Sequence, residues 1–567
     1  MKTLVSTILL FLFFVANTLC ANAQETTYEY KYWVVFTDKS SSNFTIENPE
    51  AFLSQRAINR RDRQNISVGV QDLPVSNDYV QSVLDVGDEL RYLHTSKWFN
   101  ALTVAFTDTA YFLPSNHPIL LQIAALPFVE KTILLSVFEQ NVGKTQVDKF
   151  YQEEQTEETE RFFANGFRQI NMLNGDLLHL NGFDGEGKLI AVMDSGFPNV
   201  NSLPAFQHLF DENRFLGGFD MVEQDGDLFN NPSSHGARVL STMAASLPGE
   251  FVGTAPKASY MLFITEAPGE QRIEEINWII AAERADSAGA DILSTSLGYA
   301  DFFTPDLFDY SIEDNDGNTA YITQGADIAA SKGILVVNSA GNEGNGNWRF
   351  ITPPSDADSV LSVGAVNTNE NYVSFSSVGP SFDGRVKPEV VAMGQETVLI
   401  NSTTGNIETS NGTSFSAPII AGMAASLWEA VPNASAWEIR QAIIDCASLK
   451  DAPTNELGYG LPDFKKAIES LIDIDLFEGN TPELTLFPNP FKEELNLFYQ
   501  ANKTEDLVFS VYDSTGKLMN SFTQSVVSNG LYKMPFTTLE NVESGIYFVA
   551  LTSENGEVVV EKVIKVQ

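Results

Sequence analysis

Cysteine is nearly absent: a chain of 567 residues carries two, Cys20 and Cys446. Cys20 falls in an N-terminal stretch expected to be removed, and the single thiol left cannot close an internal disulfide. Export of this chain would therefore not mean disulfide stapling. A cysteine nucleophile has no support either, because Cys446 follows the helical pattern Trp437–Asp445, where a buried structural thiol is the ordinary occupant. Positive charge is also scarce. Lys and Arg number 34 against 74 Asp and Glu, a formal charge of −40. Such a field argues against nucleic acid or an anionic membrane as partner. It suits a soluble acidic surface exposed outside the cell, and one able to recruit cations.

What is present is enough apolar material, 43% of residues, for a substantial core, in a chain long enough for several domains. Met1-Lys2-Thr3 opens the chain, an apolar run extends through Leu19, and Ala21-Asn22-Ala23-Gln24 follows. A charged start, an apolar stretch and an Ala-x-Ala site read as a signal peptide over 1–23, cut after Ala23; an uncleaved anchor is the alternative. A lipoprotein signal at Cys20 fits poorly, since Leu19 stands where a small residue is needed.

The segment Asn411-Gly412-Thr413-Ser414-Phe415-Ser416-Ala417-Pro418 carries the strongest chemical signal. Ser414 precedes a small, apolar, helix-forming run, so its hydroxyl is expected at a helix N-terminus, where N–H groups and the macrodipole favour developing negative charge. Alone it would read as an N-cap serine. A nucleophilic serine needs a base, an orienting carboxylate and oxyanion donors. Each has a candidate at the end of an element. The apolar run Leu189–Met193 delivers Asp194 to a strand tip, Ser233-Ser234-His235-Gly236 puts His235 at a helix start, and Ile334–Asn338 runs into glycine-flanked Asn342. Read singly, these are a turn, a cap and a second turn. In open α/β sheets, however, such strand ends converge on one crevice.

The order Asp194, His235, Asn342, Ser414 resembles the subtilisin-like serine proteases, the subtilases. It carries Asp194-Ser195-Gly196, His235-Gly236, Ser339-Ala340-Gly341-Asn342 and Gly412-Thr413-Ser414-Phe415-Ser416-Ala417-Pro418. This order differs from that of the chymotrypsins and α/β-hydrolases. Gly253-Thr254-Ala255-Pro256 and Ser296-Leu297-Gly298 add to the likeness, which covers roughly residues 162–473. One departure is Ala237, where the family usually has Thr after His-Gly. The resemblance implies peptide-bond hydrolysis of protein or peptide substrates, with Ser414 as nucleophile and His235 as general base and then acid. Asp194 would orient His235, and Asn342 would donate to the oxyanion. Ser296, Leu297 and Gly298, with Ser339, Ala340 and Gly341, would border the cleft and pair with the substrate backbone. Two readings compete: an esterase or narrow processing protease using the same triad, and a catalytically silent binding protein on the same scaffold.

Strand patterns alternate with helical ones through this region. Strands are expected at Ala258–Ile264, Asp291–Ser296 and Ile334–Asn338, and helices at Glu274–Ser287, Ala326–Ser331 and Ser435–Ala447. The pattern is that of an α/β, doubly wound parallel sheet. Residues 24–140 read as an α+β module in the position of a subtilase propeptide, the chain's own inhibitor and folding partner. Its basic stretch Arg56, Arg60, Arg61 and Arg63 reads as a solvated face, with docking against an acidic protease surface as the alternative. Residues 141–161 include the acidic tract Glu153–Glu160, an exposed linker suited to cleavage. The chemistry needs no cofactor. Structural Ca²⁺ is a subtilase trait, and Asp314-Asn315-Asp316-Gly317-Asn318 offers clustered oxygens, but no glutamate completes an EF-hand and a turn is the favoured reading. No metal ligands are assigned. From 482 to 567 short β-type runs predict an antiparallel sandwich. Pro488-Asn489-Pro490-Phe491, the Asp513–Lys517 turn and Ser544-Gly545-Ile546-Tyr547-Phe548-Val549 resemble the sorting domain of type IX secretion. That likeness implies the type IX machinery as partner, a Gram-negative source, and a protein released or held at the surface. A β-module retained for substrate binding is the alternative.

Overall fold

The computed structural model describes residues 27–109, 117–139, 165–267, 269–472 and most of 484–566. The expected signal peptide and acidic linker lie outside the described residues, as does the Pro488–Pro490 opening of the tail. Contacts divide the chain into two compact bodies. One takes its members from Met1–Asn48, Gly69–Val147 and Gln271–Ile273; the other takes Pro49–Val68, Asp148–Glu270 and Glu274–Gln567.

In the first body, β1 (Tyr28–Phe36), β2 (Arg91–Ser96), β3 (Ala101–Asp108) and β4 (Val129–Glu139) form an antiparallel sheet in the order β2-β3-β1-β4. Aromatic and β-branched residues give β1 its strand preference, and Tyr30, Tyr32, Val34 and Phe36 put one face into the core. Helix α1 (Gln55–Arg63) belongs to the second body, whereas α2 (Asn77–Leu84) and α3 (Pro118–Ala124) belong to the first.

In the second body a parallel sheet runs in the order β11-β10-β9-β8-β5-β7-β6. Its strands are β5 (Leu189–Asp194), β6 (Phe215–Asp220), β7 (Ser259–Ile264), β8 (Ile292–Thr295), β9 (Leu335–Ser339), β10 (Leu361–Val366) and β11 (Val390–Met393). The first strand, β5, sits between β7 and β8, so the winding direction reverses at its tip. That reversal opens a crevice beyond the carboxyl ends of the strands. Helices α4 (His235–Ala244), α5 (Ile273–Ala288), α6 (Tyr321–Ser331), α7 (Thr413–Ala430) and α8 (Ala436–Asp445) accompany the sheet. Apolar almost all round, α7 is buried nearly throughout, as such a helix must be.

The tail forms two antiparallel sheets. One is β12 (Leu484–Phe487), β13 (Asn496–Gln500) and β16 (Leu531–Pro535); the other is β14 (Glu505–Asp513), β15 (Leu518–Val526), β17 (Gly545–Thr552) and β18 (Val558–Lys565). Leu486 and Leu497 from the first share one core with Phe509 and Val549 from the second, which makes the expected sandwich.

One expectation is corrected. Arg60 and Arg61 are not a solvated face: both are buried, at 0% and 1% exposure. Arg60 Nη2 donates to Asp286 Oδ1 at 2.6 Å, and Arg61 Nη2 donates to both carboxylate oxygens at 2.8 and 2.9 Å. The cause is the C-terminal end of α5, whose last carbonyls lack intrahelical donors. Ser54 N–H donates to Ser287 O, Ser54 Oγ to Ala288 O, Arg56 Nε to Gly289 O and Arg60 to Ala290 O. Cations are favoured at that negative end of the helix. Arg63 alone of the four is exposed.

Candidate active site

Asp194 is the last residue of a wholly buried β5, at the tip where the winding reverses. Its Oδ1 accepts from the Ser195 N–H at 2.7 Å, from Ser195 Oγ at 3.1 Å and from His235 Nδ1 at 2.7 Å. His235 begins α4 and is 3% exposed. Glycine follows it for a spatial reason: a Cβ at Gly236 would lie 2.5 Å from the Gly196 carbonyl and 2.9 Å from Asp194 Cβ. Only a bare Cα lets α4 approach the end of β5 closely enough for the imidazole to reach the carboxylate. Ala237, the departure from the subtilase pattern, is fully buried, and its N–H donates to Gly196 O at 3.1 Å. Methyl in place of a threonine side chain leaves that anchor intact.

Ser414 is the second residue of α7, as its sequence context predicts, and is 2% exposed. Gly412 just before the helix has φ 145°, a conformation L side chains rarely adopt, which explains the glycine. The ring of Phe415 lies 5.9 Å from that of His235, so α7 brings the serine segment to the imidazole. Asn342 is tied to the same helix start: its Oδ1 accepts from Thr413 N–H at 2.9 Å and Thr413 Oγ1 at 3.0 Å. With Oδ1 twice engaged, the amide nitrogen is the end left to face a ligand. Ser296 Oγ donates to the Ser414 carbonyl at 2.8 Å. A cavity of about 310 Å³ is bordered by Ser414, Asn342, Ser296, Leu297 and Gly298, and by Ser339 and Gly341. Of the residues expected at the cleft, Ala340 does not line this cavity; it is fully buried, and its N–H donates to Val363 O.

Several supporting residues escaped the sequence reading. Asn338 Nδ2 donates to Leu297 O at 3.1 Å, to Ser339 O at 2.8 Å and to Ser355 Oγ at 3.1 Å, while Thr295 Oγ1 donates to its Oδ1. This buried polar network locks the tips of β8 and β9, the two cleft borders, together. Its one sequence signal is an Asn inside an otherwise apolar strand run. Glu270, Phe302, Glu343 and Thr352 also line the cavity.

The Asp314–Asn318 loop makes turns. Asp314 Oδ2 accepts from Ser311 N–H and Oγ at 2.8 Å each, and Asp316 Oδ1 accepts from the Asn318 and Thr319 N–H groups at 2.8 Å. Among the described residues, Glu266, Glu270 and Glu274 are the acidic side chains whose oxygens come within 4.8 Å of one another.

Comparison with known proteins agrees in each part of the chain. The subtilase family model matches residues 185–460, a Bacteroidota peptidase S8 propeptide domain matches 31–153, and a secretion system C-terminal sorting domain matches 485–566. Subtilisin DY of Bacillus licheniformis is 32% identical over 286 residues, which is 49% of this chain and 90% of that protein. Subtilisin NAT of Bacillus subtilis subsp. natto is 32% identical over 289 residues, 49% of this chain and 65% of its own length. Among solved structures, MycP1 from Mycobacterium smegmatis aligns with a TM-score of 0.44 at 19% identity, over 57% of this chain and 89% of that one. The chain belongs to the subtilase family of serine-type endopeptidases.

Proposed function

We propose that this protein is made as a precursor and, once processed, hydrolyses peptide bonds with Ser414, His235 and Asp194 as its triad. The observation that carries the reading is the 2.7 Å contact of His235 Nδ1 with Asp194 Oδ1 beside a serine at a helix N-terminus. Asp194 holds the proton on Nδ1, so Nε2 is the basic nitrogen that takes the Ser414 proton as the hydroxyl attacks the scissile carbonyl. The imidazolium then protonates the leaving amine, and water repeats the cycle on the acyl-enzyme. Asn342 donates its amide hydrogen to the oxyanion, joined by the N–H groups at the start of α7. Ser296, Leu297 and Gly298 on one border, with Ser339 and Gly341 on the other, take an extended substrate as an added strand. No cofactor enters this chemistry. Structural Ca²⁺ enters the reading only as a family trait with no site assigned, and the Asp314 and Asp316 carboxylates of the expected loop cap turns.

In the same reading, residues 1–23 are a signal peptide, 24–140 the propeptide, 141–161 the cleaved linker and 162–473 the catalytic domain. Residues 482–567 address the protein to the type IX machinery of a Gram-negative cell, for release or surface display. The buried Arg60 and Arg61 on Asp286 support the propeptide as a partner of its own enzyme. Purified Ser414→Ala protein tests the reading. It should fold with an unchanged circular dichroism spectrum, cleave no denatured protein substrate and remain unprocessed. Unaltered hydrolysis in that variant would overturn the assignment.

A further inference from the structure

The division into two bodies cuts the expected propeptide. Residues on either side of α1 fall in the first body, whereas Pro49–Val68, which carries α1, falls in the second with the candidate catalytic residues. This segment is seated on the amino ends of the parallel strands. Arg56 Nη2 donates to Asp291 and, at 2.9 Å, to Gly187 O, just ahead of β8 and β5. Gln64 Nε2 donates at 2.8 Å to Gly333 O, just ahead of β9, and Gln64 Oε1 accepts at 2.9 Å from the N–H of Ala436, which opens α8. The surface beneath has room for it only because two residues lack a Cβ. One added at Gly289 would lie 2.7 Å from the Ala57 nitrogen, and one at Gly333 would lie 2.7 Å from Gln64 Nε2. Taking the segment away would strip the donors from the last carbonyls of α5 and leave Asp286 without either of its buried guanidinium partners. It would also release Asp291, whose buried Oδ2 accepts from the Leu189 N–H at 2.9 Å as well as from Arg56, so that the segment braces β5 against β8. The opposite tips of those strands carry Asp194 and lead into Ser296. Six residues of β5 separate the two ends by roughly 17 Å, so the segment leaves the crevice open. Exposed loop residues flank it, 45–48 on one side and Ser67 and Val70 on the other, where hydrolysis can part it from the rest of the module.

We propose that Pro49–Val68 is a resident part of the working protease. When the precursor is processed, a peptide carrying α1 stays seated at the amino ends of β5, β8 and β9 and braces the strands that position the site. This retention rests on the precursor reading above and limits what the processing removes. Each cut is an ordinary peptide hydrolysis, consuming one water and leaving a carboxylate and an amine.

The processed protein is labelled with a serine-directed fluorophosphonate, passed through a sizing column in about 1 M salt and weighed by mass spectrometry after denaturation. Buried ion pairs are screened little, so salt should not strip the segment. The expected result is a labelled catalytic chain with an equimolar second peptide containing residues 49–68. A second measurement compares melting temperatures of the processed, labelled wild-type and Arg56→Ala proteins. The variant should melt lower by roughly 2–4 °C or more. Had the segment departed, the two products would be the same molecule and would melt together. Gln64→Ala gives the same comparison at a half-buried contact should Arg56→Ala fail to fold. A labelled catalytic chain without the peptide, or coincident melting curves, overturns the proposal and leaves the protease reading intact. A chain that neither processes nor takes the label overturns both.

Discussion

Asp194 Oδ1 accepts three hydrogen bonds, two from Ser195 and one from His235, so its role in the proposed chemistry is to orient and to carry charge. Asp194→Asn keeps the shape but lets the amide donate to Nδ1, which selects the wrong imidazole tautomer. Turnover should then fall by about 10⁴-fold, with the melting temperature nearly unchanged. The check is kcat on a peptide ester beside a thermal scan. Asn342→Ala removes the proposed oxyanion donor and should lower kcat by about 10²–10³-fold while altering KM far less. A drop confined to KM would show that Asn342 binds substrate instead. Ser296 acts one step back, through the Ser414 carbonyl, and its loss should cost less than either.

At the scale of elements, how much could be read depended on how local the deciding interactions are. Strands β5, β7, β8 and β9 were legible to within a residue or so because each is a short apolar run with turn residues beside it. Strand β6 was not, since its sequence Phe-Leu-Gly-Gly-Phe-Asp has no such run and owes its pairing to β7. Helix α6 starts at Tyr321 rather than the expected Ala326, because Thr323 and Gly325 blur its apolar face, though both are buried against neighbours. The four proposed triad and oxyanion positions stood out through motifs. The acidic lining of the cavity did not, because Glu270 and Glu343 meet only in the fold. Arg60 and Arg61 were misread for the same reason: Asp286 is far away in sequence. Asp286→Ala leaves two buried guanidinium groups without their counter-ion and should destabilise the precursor by roughly 3–5 kcal/mol, read from urea unfolding.

The loop between β9 and β10 carries a pH signature. Asp356 accepts from Thr323 Oγ1 and the Gly317 N–H, and its burial raises the carboxyl from 3.8 to about 6. The folded state therefore holds this proton more tightly than the unfolded chain does. Its contribution to stability is greatest below the unfolded value and is lost as pH rises from about 4 through about 6, after which it is constant. Relative to Asp356→Asn, the wild-type protein should lose on the order of 3 kcal/mol of stability across that window. Parallel curves for the two proteins would contradict this.

The whole molecule joins an α+β module, a parallel α/β domain and an antiparallel sandwich in one acidic chain. The sorting reading predicts that mass spectrometry of secreted material finds a mature C-terminus upstream of the sandwich. A chain reaching Gln567 outside the cell would contradict it. Covalent labelling of the processed protein with a serine-directed fluorophosphonate, followed by peptide mapping, tests the central claim most directly. The account predicts one adduct, on Ser414, that disappears when His235 is changed to Ala; a processed protein that takes up no label, or takes it at another residue, would contradict it.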